Sequence, residues 1–236
     1  MDKKYEFLKK YIMKKNGYIR LLSLNEIDNN LILLPEPWFH IFKEKDMKKR
    51  IKMILDLWKL HVNSEMSNTI AYLNDYLVEV ELMEINYRYS ILYSLKNRNG
   101  EVLYYEGRAP AQDFKNPELE KIWDKFPEKV RDFYENVHNG FYYYASGSME
   151  LVPLEEVVFL GDDDFDWSIV SEIEEPLKIN LDTSFGFFSN GIGTYVVIDY
   201  TNCNQNNATL WSAKEQPEYN IDFWDCIDEW TVIGFD

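Results

Sequence analysis

Residues 76–104 read YLVEVELMEINYRYSILYSLKNRNGEVLY, with apolar side chains at alternate positions along two runs, 78–82 and 91–95. An apolar side chain at every second position is typical of a β-strand that buries one face. A polar turn ending at Gly100 leads into a third apolar run, 102–104. The stretch therefore predicts a three-stranded antiparallel meander.

The segment before the meander predicts a helix over 43–61. Its apolar residues recur three and four positions apart, which is the period of one helix face. They are Met47, Ile51, Ile54, Leu55 and Trp58, and lysines occupy the opposite face. We expect the apolar face of this helix to pack against a core.

A break in composition follows the meander. Ala109, Pro110 and Ala111 are succeeded by a polar segment that extends to Pro117. Such a segment is typical of a domain boundary, although a long connection inside one domain would have the same composition. The sequence therefore predicts a helix-plus-meander region of unknown role over 1–110 and a second domain over 111–236.

The second domain contains further helix and strand patterns. Pro127 stands where a first helical turn tolerates proline, and the apolar stripe that follows ends at Asn139 and Gly140, a pair that favours a left-handed C-terminal cap. An amphipathic pattern over 221–230 predicts a final helix. Strand patterns lie between the two helices, over 141–149, 152–160, 194–200 and 209–211.

Charge is distributed unevenly along the 236 residues, whose net charge at pH 7 is −16. Residues 1–110 hold 18 basic and 15 acidic side chains, whereas residues 111–236 hold 7 basic and 26 acidic side chains. The two parts therefore carry net charges of +3 and −19. Such a field repels nucleic acid and anionic membranes, and it accelerates association with a basic protein. We expect a basic protein partner, and neither nucleic acid nor a membrane.

Composition is typical of a folded globular protein, with 46% hydrophobic and 16% aromatic residues. No apolar run approaches the roughly 18–20 residues that span a bilayer, and the first ten residues lack the apolar core of a signal sequence. Cys203 and Cys226 are expected to be reduced, and three scattered histidines give no metal-ligand spacing around them. We expect a cytoplasmic protein without a cofactor or a metal.

Eight short motifs follow one another in the second half of the chain. In order they are Phe126-Pro127, Val130, Asp132-Phe133-Tyr134, Asn139-Gly140, 151–157 (LVPLEEV), 188–193 (FSNGIG), 195–199 (YVVID) and 223–230 (FWDCIDEW). Their order and spacing resemble the SUKH superfamily, and within it the Smi/Knr-like branch. The resemblance covers roughly residues 118–236 and does not extend to 1–110.

The resemblance implies an α+β fold with a curved, mostly antiparallel sheet flanked by helices, to which 1–110 would add an α+β extension or small domain. It also implies a bacterial immunity protein, which neutralises a cognate polymorphic or contact-dependent toxin by binding it and has no catalytic residues. The family's Asn-Gly pair matches Asn139 and Gly140, and its strand-entry glycines match Gly191 and Gly193. We expect these glycines at positive φ or at a close backbone approach.

Carboxylates in two parts of the second domain are the candidate partner-binding surface. A nuclease toxin holds phosphates with Lys and Arg, so a carboxylate-rich surface can occupy that site by offering oxygen acceptors. A solvated acidic loop would have the same composition. The candidates are Asp162, Asp163, Asp164, Asp166, Glu172, Glu174 and Glu175, joined by Asp225, Asp228 and Glu229 on the exposed side of the last helix.

A calcium loop is a competing interpretation of the first acidic run. Asp162, Asp164 and Asp166 alternate like the first ligands of such a loop. Trp167 and Ile173, however, stand where the loop requires glycine and glutamate. We therefore expect no metal at this run.

Three other kinds of site fit the sequence less well than a partner-binding surface does. His138 near Asp132 or Glu135 suggests acid–base chemistry, but a histidine beside a helix C-terminus is more often a cap residue. The turn 189–193 is rich in glycine but lacks the Gly-Lys-Ser/Thr signature of a phosphate loop. The aromatic run 141–144 has no basic groove for nucleic acid, so we expect core or interface side chains there.

Together, these features predict a non-enzymatic immunity protein that occludes a basic toxin, with a nuclease domain as the expected target. The alternative is a regulatory or scaffolding protein that uses a SUKH-like domain to bind cellular clients. The sequence leaves the oligomeric state open.

Overall fold

The computed structural model describes residues 3–12, 17–29, 34–110, 114, 116–162 and 167–236. Its α-helices are α1 (Lys3–Tyr11), α2 (Leu24–Asn29), α3 (Glu36–Lys43), α4 (Met47–Val62), α5 (Ser67–Tyr76), α6 (Pro117–Ile122), α7 (Glu128–Asp132) and α8 (Phe223–Phe235). Its strands are β1 (Ile19–Leu21), β2 (Leu77–Ile85), β3 (Arg88–Lys96), β4 (Val102–Arg108), β5 (Phe141–Tyr143), β6 (Glu150–Leu151), β7 (Val158–Phe159), β8 (Ser184–Ser189), β9 (Thr194–Asp199), β10 (Asn207–Ser212) and β11 (Glu218–Asp222).

One open antiparallel sheet joins these strands, and helices flank it, which confirms the predicted α+β class. The strands follow one another across the sheet in chain order, except that β6 and β7 both pair with β8. Strands β1 and β11 form the two edges. Strands β2, β3 and β4 are joined by short turns, as in a meander, whereas helices lie in the longer connections between β1 and β2 and between β4 and β5.

The predicted meander is present as β2, β3 and β4. Asn86 and Tyr87 form the first turn with φ values of 47° and 67°, the left-handed pair that a two-residue hairpin requires. At the start of β2, a register shift between Leu77 and Glu79 interrupts the alternation. Val78 is consequently 51% exposed, although the sequence pattern groups it with the buried residues of the strand.

The predicted helix over 43–61 is α4, which starts later than expected. Asp46 caps its N-terminus, where the side chain accepts hydrogen bonds from the backbone N–H groups of Lys48 (2.9 Å) and Lys49 (3.2 Å). Lys43 belongs to the preceding helix α3. The predicted apolar stripe does face the core, with Ile54, Leu55 and Trp58 buried there.

The sheet continues across the boundary that the sequence predicts near residue 110. Strand β4 pairs with β5, so that Tyr105 lies opposite Tyr143 and Gly107 opposite Phe141. The main hydrophobic core likewise contains side chains from both parts of the chain, for example Trp58 from the first part and Phe141 from the second. Residues 1–110 and 111–236 therefore share one sheet and one core.

The two faces of the sheet are covered differently. The main core lies on the first face, under α3, α4, α5, α7 and α8. On the second face, α1 covers one smaller cluster around Leu92 and Tyr144, and the segment 167–181 covers another around Val197 and Trp211. Because side chains alternate along a strand, Val196 and Ile198 face the main core while Val197 faces the second cluster.

The remaining elements differ from the sequence pattern mainly in length. The helix after Pro127 is α7, continued by a π-helical turn over Phe133–Val137. The strand patterns over 141–149 and 152–160 become the short strands β5, β6 and β7 with a 3₁₀ turn between the last two. The last helix starts after Asp222, whose side chain accepts hydrogen bonds from the backbone N–H groups of Trp224 and Asp225.

Candidate partner-binding surfaces

The first acidic region predicted from the sequence is exposed where the structure describes it. Asp162 and the three glutamates of 172–175 are all exposed. Asp163, Asp164 and Asp166 lie outside the described residues. Exposure is what a partner-binding surface needs, and it is equally what a solvated loop needs.

Contacts fix part of this acidic region to the body of the protein. The Gln216 side chain accepts a hydrogen bond from the Glu174 backbone N–H (3.1 Å) and donates one to the Glu172 carbonyl oxygen (2.9 Å). Glu175 forms an ion pair with Lys178 at 2.8 Å. The pair lowers the pKa of Glu175 and neutralises part of the negative charge that the sequence places here.

The second acidic region lies on α8. Asp225 and Glu229 are exposed and stand one helical turn apart. Within the described residues, neither forms an ion pair with a lysine, arginine or histidine. These two carboxylates therefore remain available to a cation from outside the chain.

Asp228 is a correction to the sequence interpretation, because it is 3% exposed rather than on the outer side of α8. Its carboxylate accepts hydrogen bonds from the backbone N–H groups of Asn68 (2.8 Å) and Thr69 (2.7 Å) in the first turn of α5. A helix N-terminus leaves such N–H groups without partners inside the helix, and a carboxylate satisfies both them and the helix dipole. Asp228 thus joins α8 to α5 and is not accessible to a partner.

A groove of about 650 Å³ runs between α5 and α8. Asp75 from α5 and Asp225 and Glu229 from α8 line it, next to the apolar side chains of Val232 and Ile233. Ile233 is 53% exposed and so adds apolar surface to the groove. Arg98 also lines the groove, and its guanidinium is paired with Asp236 at 3.1 Å. Negative charge and apolar surface therefore lie side by side.

The two acidic regions do not form one surface. Helix α8 packs on the main core through Phe223, Trp224 and Ile227, on the first face of the sheet. The segment 167–181 packs on Val197 and Trp211, on the second face. The sheet thus separates Asp225 and Glu229 from the glutamates of 172–175, which the sequence interpretation joins into one surface.

Pro127 and Asn139 have local structural positions. Pro127 directly precedes α7 with a φ of −51°, which is the angle that its ring imposes. Asn139 is buried, and its side chain accepts a hydrogen bond from the Leu154 N–H (2.8 Å) and donates one to Glu155 (3.0 Å). The expected helix cap is wrong in detail, because the helical backbone already ends at Val137 and His138 is extended.

The three glycines singled out from the sequence all have positive φ, as expected: 87° at Gly140, 80° at Gly191 and 96° at Gly193. Gly140 also makes a close backbone approach. A Cβ atom there would lie 2.8 Å from the carbonyl oxygen of Leu151. Only glycine combines this φ with this contact at little cost.

His138 is the cap residue after the helical turn that ends at Val137, as expected, but its ring is buried beside the main core and does not lie at an exposed helix end. Its Nδ1 donates to the Arg108 carbonyl oxygen (3.1 Å), and its Nε2 accepts from the Tyr93 hydroxyl (2.7 Å), which in turn accepts from Trp58 Nε1 (3.0 Å). Burial lowers the pKa of His138 to about 3, so the ring is neutral at pH 7. Gly107 makes room for it, because a Cβ there would lie 2.5 Å from His138 Cε1.

The carboxylates near His138 in sequence are bound elsewhere. Asp132 pairs with His61 at 2.7 Å, and Glu135 accepts a hydrogen bond from Trp123 Nε1 at 2.7 Å. The described residues contain no group of three or more His, Cys, Asp or Glu side chains arranged for a metal ion. The calcium-loop interpretation concerns three aspartates. The structure describes Asp162, whereas Asp164 and Asp166 lie outside the described residues.

A cleft on the second face of the sheet is absent from the sequence interpretation. It has a volume of about 470 Å³, and its polar wall includes Glu106, Arg108, Tyr142 and Glu150. Alternation along β4 gives a local signal, since Glu106 and Arg108 share a face. The cleft itself brings together distant parts of the chain, and no spacing in the sequence marks it.

Comparisons with known proteins identify no relative, since no protein-family model, curated protein or solved structure matches this chain.

Cys203 and Cys226 are not joined in a disulfide, and burial raises the pKa of the Cys226 thiol to about 11. Among the helices that the structure describes, none combines the length and the apolar character needed to cross a membrane.

Proposed function

We propose that this chain is a non-enzymatic binding protein for a basic protein, and that its docking site is the groove between α5 and α8. In the specific form that the SUKH resemblance implies, it is an immunity protein whose partner is a toxin, with a nuclease domain as the expected target. Binding alone neutralises such a toxin when it covers the surface that holds the substrate.

The observation that carries the proposal is the set of unpaired carboxylates in this groove. Asp225 and Glu229 have no ion-pair partner among the described residues, and Asp75 faces them from α5. Val232 and Ile233 place apolar area beside these charges. Interfaces commonly combine a desolvated apolar centre with charges that select and orient the partner.

The charge of the whole chain supports the same kind of partner. Residues 111–236 contribute a net charge of −19, and a field of this sign attracts a basic surface over distances beyond direct contact. A nuclease needs lysines and arginines to hold phosphates, and carboxylates can pair with those same side chains. Occlusion of this kind requires no chemistry from the chain.

The experiment that tests the proposal starts with the tagged chain in its native host. Proteins that co-purify at low salt are identified, and the recovered basic protein is then purified and assayed alone and with the chain. We expect one basic partner, released as salt rises, whose nuclease activity falls to background at a stoichiometric amount of the chain.

A matched pair of variants locates the site. Replacing Asp225 by Asn together with Glu229 by Gln should weaken inhibition, whereas replacing Glu172 and Glu174 by Gln should leave it unchanged. Recovery of many unrelated housekeeping proteins, with no effect of either variant, would contradict the immunity role and favour a regulatory or scaffolding protein.

A further inference from the structure

The cleft on the second face of the sheet is formed by four parts of the chain. Tyr11, the last residue of α1, and the following Ile12 lie on one side, and the β2–β3 turn contributes Asn86. Strands β3, β4 and β5 form the floor, and the segment 146–156 closes the other side. A volume of about 470 Å³ is in the range of small-molecule sites.

The two arginines of the cleft are already paired with protein groups. Arg108 donates to the Tyr142 hydroxyl (2.6 Å), to Glu155 (3.1 Å) and to Glu156 (3.2 Å). Arg88 donates to the same Glu155 at 2.7 Å. Their positive charge is therefore compensated inside the protein, and they offer little attraction to an anionic ligand.

The carboxylates of the cleft outnumber these arginines. Glu106, Glu150, Glu155 and Glu156 all line it, against Arg88 and Arg108. Glu106 is buried and accepts a hydrogen bond from the Ser90 hydroxyl at 2.6 Å. Burial raises the pKa of Glu106, which reflects the cost of negative charge at this depth.

Glu150 is the carboxylate that lacks compensation. Among the described residues, no hydrogen bond or ion pair reaches its side chain, although nearby Arg108 is close enough to affect its titration. Burial, followed by the charge of Glu156, raises the pKa of Glu150 to about 8. Glu150 is partly buried in the cleft, so its carboxylate is partly desolvated, has no partner inside the protein and is still accessible to a cation or a donor from outside.

The backbone before Glu150 is held in a strained conformation. Met149 has a φ of 47°, which is uncommon for a residue with a side chain. Its side chain packs against α8, where a Cβ on Gly234 would lie 3.0 Å from the Met149 Cβ. Strained residues of this kind persist only when the surrounding structure holds them, and they occur often beside binding sites.

We propose that this cleft binds a small organic cation, an ammonium or guanidinium group on a short carbon chain, with its charged group at Glu150. Tyr11, Ile12 and Tyr144 line the cleft and supply apolar and aromatic surface for the carbon chain. The site lies on the opposite face of the sheet from the α5–α8 groove, so it does not depend on the proposed function. The excess of carboxylates in the cleft would repel an anion. The described residues contain no group of side chains arranged for a metal ion.

The test measures binding by isothermal titration calorimetry at low salt and at about pH 9, above the pKa of Glu150, so that its carboxylate is charged. The probes are agmatine and 1,4-diaminobutane, with 1,4-butanediol as the uncharged analogue. We expect saturable binding of at least one cation and none of the diol. Glu150→Gln should weaken binding about tenfold or more, because it removes a charge-assisted contact.

Controls separate a lost contact from a lost fold. Glu215→Gln changes an exposed carboxylate in the β10–β11 turn and should leave the affinity unchanged. The melting temperature of each variant reports its fold, and Glu156→Gln provides a second cleft variant with a smaller expected loss of affinity.

A second titration identifies the source of the cation. The capped peptide acetyl-Gly-Arg-Gly-amide presents the same guanidinium on a peptide backbone. Binding of this peptide alone, dependent on Glu150, would support the site and assign the cation to a protein side chain. Absence of saturable binding for every cation, equal binding of the diol, or full affinity in the Glu150→Gln protein would overturn the proposal.

Discussion

The two acidic regions of this protein have similar composition but different construction. The region on α8 stands on a regular helix that packs on the main core and is joined to α5 by Asp228. The region at 172–175 begins at the last residue of a 3₁₀ turn on the other face of the sheet, where Glu175 is neutralised by Lys178. A high density of carboxylates therefore does not define one surface.

The comparison also separates carboxylates by their surroundings. Asp228 is buried and bonded to a helix N-terminus, Glu229 is exposed and unpaired, and Glu150 lies in a cleft without a partner. The same chemical group therefore stabilises the fold at Asp228, is available to a partner at Glu229 and is energetically unfavourable at Glu150.

The largest expected effect concerns the contact between α8 and α5. Asp228→Ala removes the acceptor of two backbone N–H groups and should lower the free energy of unfolding by about 3 kcal/mol. The adjacent Glu229→Ala should change it by less than about 0.5 kcal/mol, because that side chain is exposed. Urea unfolding measures both, and equal effects would contradict the distinction between the two carboxylates.

A smaller effect is expected where the segment 167–181 packs on the second face. Ile169 is 3% exposed and Val170 is 39% exposed, although they are neighbours in one 3₁₀ turn. Ile169→Ala should lower the free energy of unfolding by about 2 kcal/mol, near the low end for a buried aliphatic side chain because a short turn can relax. Val170→Ala should cost about 0.5 kcal/mol or less. If the segment were mobile and solvated, both substitutions would lower the free energy of unfolding by the same small amount in chemical denaturation.

The third prediction uses pH to distinguish Glu150 from Glu229. The folded pKa of Glu150, about 8, lies above the ordinary value of 4.5, so its neutral form is favoured in the folded protein. The unfolded chain therefore loses this proton first, and stability should fall as pH rises from 4.5 towards 8. Glu150→Gln should remove that loss and stabilise the protein at pH 8 relative to the wild type by about 1 kcal/mol or more.

Thermal melting at pH 5 and pH 8 measures this difference. The control Glu229→Gln removes an exposed carboxylate outside the cleft and should not stabilise the protein at pH 8. If the Glu150→Gln protein and the wild type lose the same stability between the two pH values, Glu150 is not the uncompensated carboxylate.

The sequence predicts the parts of this structure that depend on short-range periodicity. The alternation at 78–82 and 91–95 predicts β2 and β3, and the stripe around Trp58 predicts α4. The left-handed glycines are also predictable, because a turn that needs positive φ selects glycine.

Asp228 could have been placed correctly from the same kind of pattern. It stands four residues after Trp224, three before Thr231 and seven before Phe235, which is the spacing of one helix face. All three of those residues are buried. Its charge suggested an exposed position, whereas the helical period indicates the buried one.

Other features depend on contacts that no local pattern contains. His138 enters the core because Gly107, thirty-one positions earlier, leaves space for the ring. The cleft around Glu150 needs α1, three strands and the segment 146–156 to meet. The separation of the two acidic regions likewise depends on which face of the sheet each segment covers.

The most direct test of the docking site is the association rate of the purified basic partner with matched variants across a salt series. In low salt, the pair Asp225→Asn and Glu229→Gln should slow association several-fold and reduce its salt dependence, because exposed charges accelerate encounter. The pair Glu172→Gln and Glu174→Gln removes the same charge from the other face and should leave association almost unchanged. Equal slowing by both pairs would mean that only net charge matters, and slowing by the second pair alone would place the interface on the opposite face; either result would contradict docking at the α5–α8 groove.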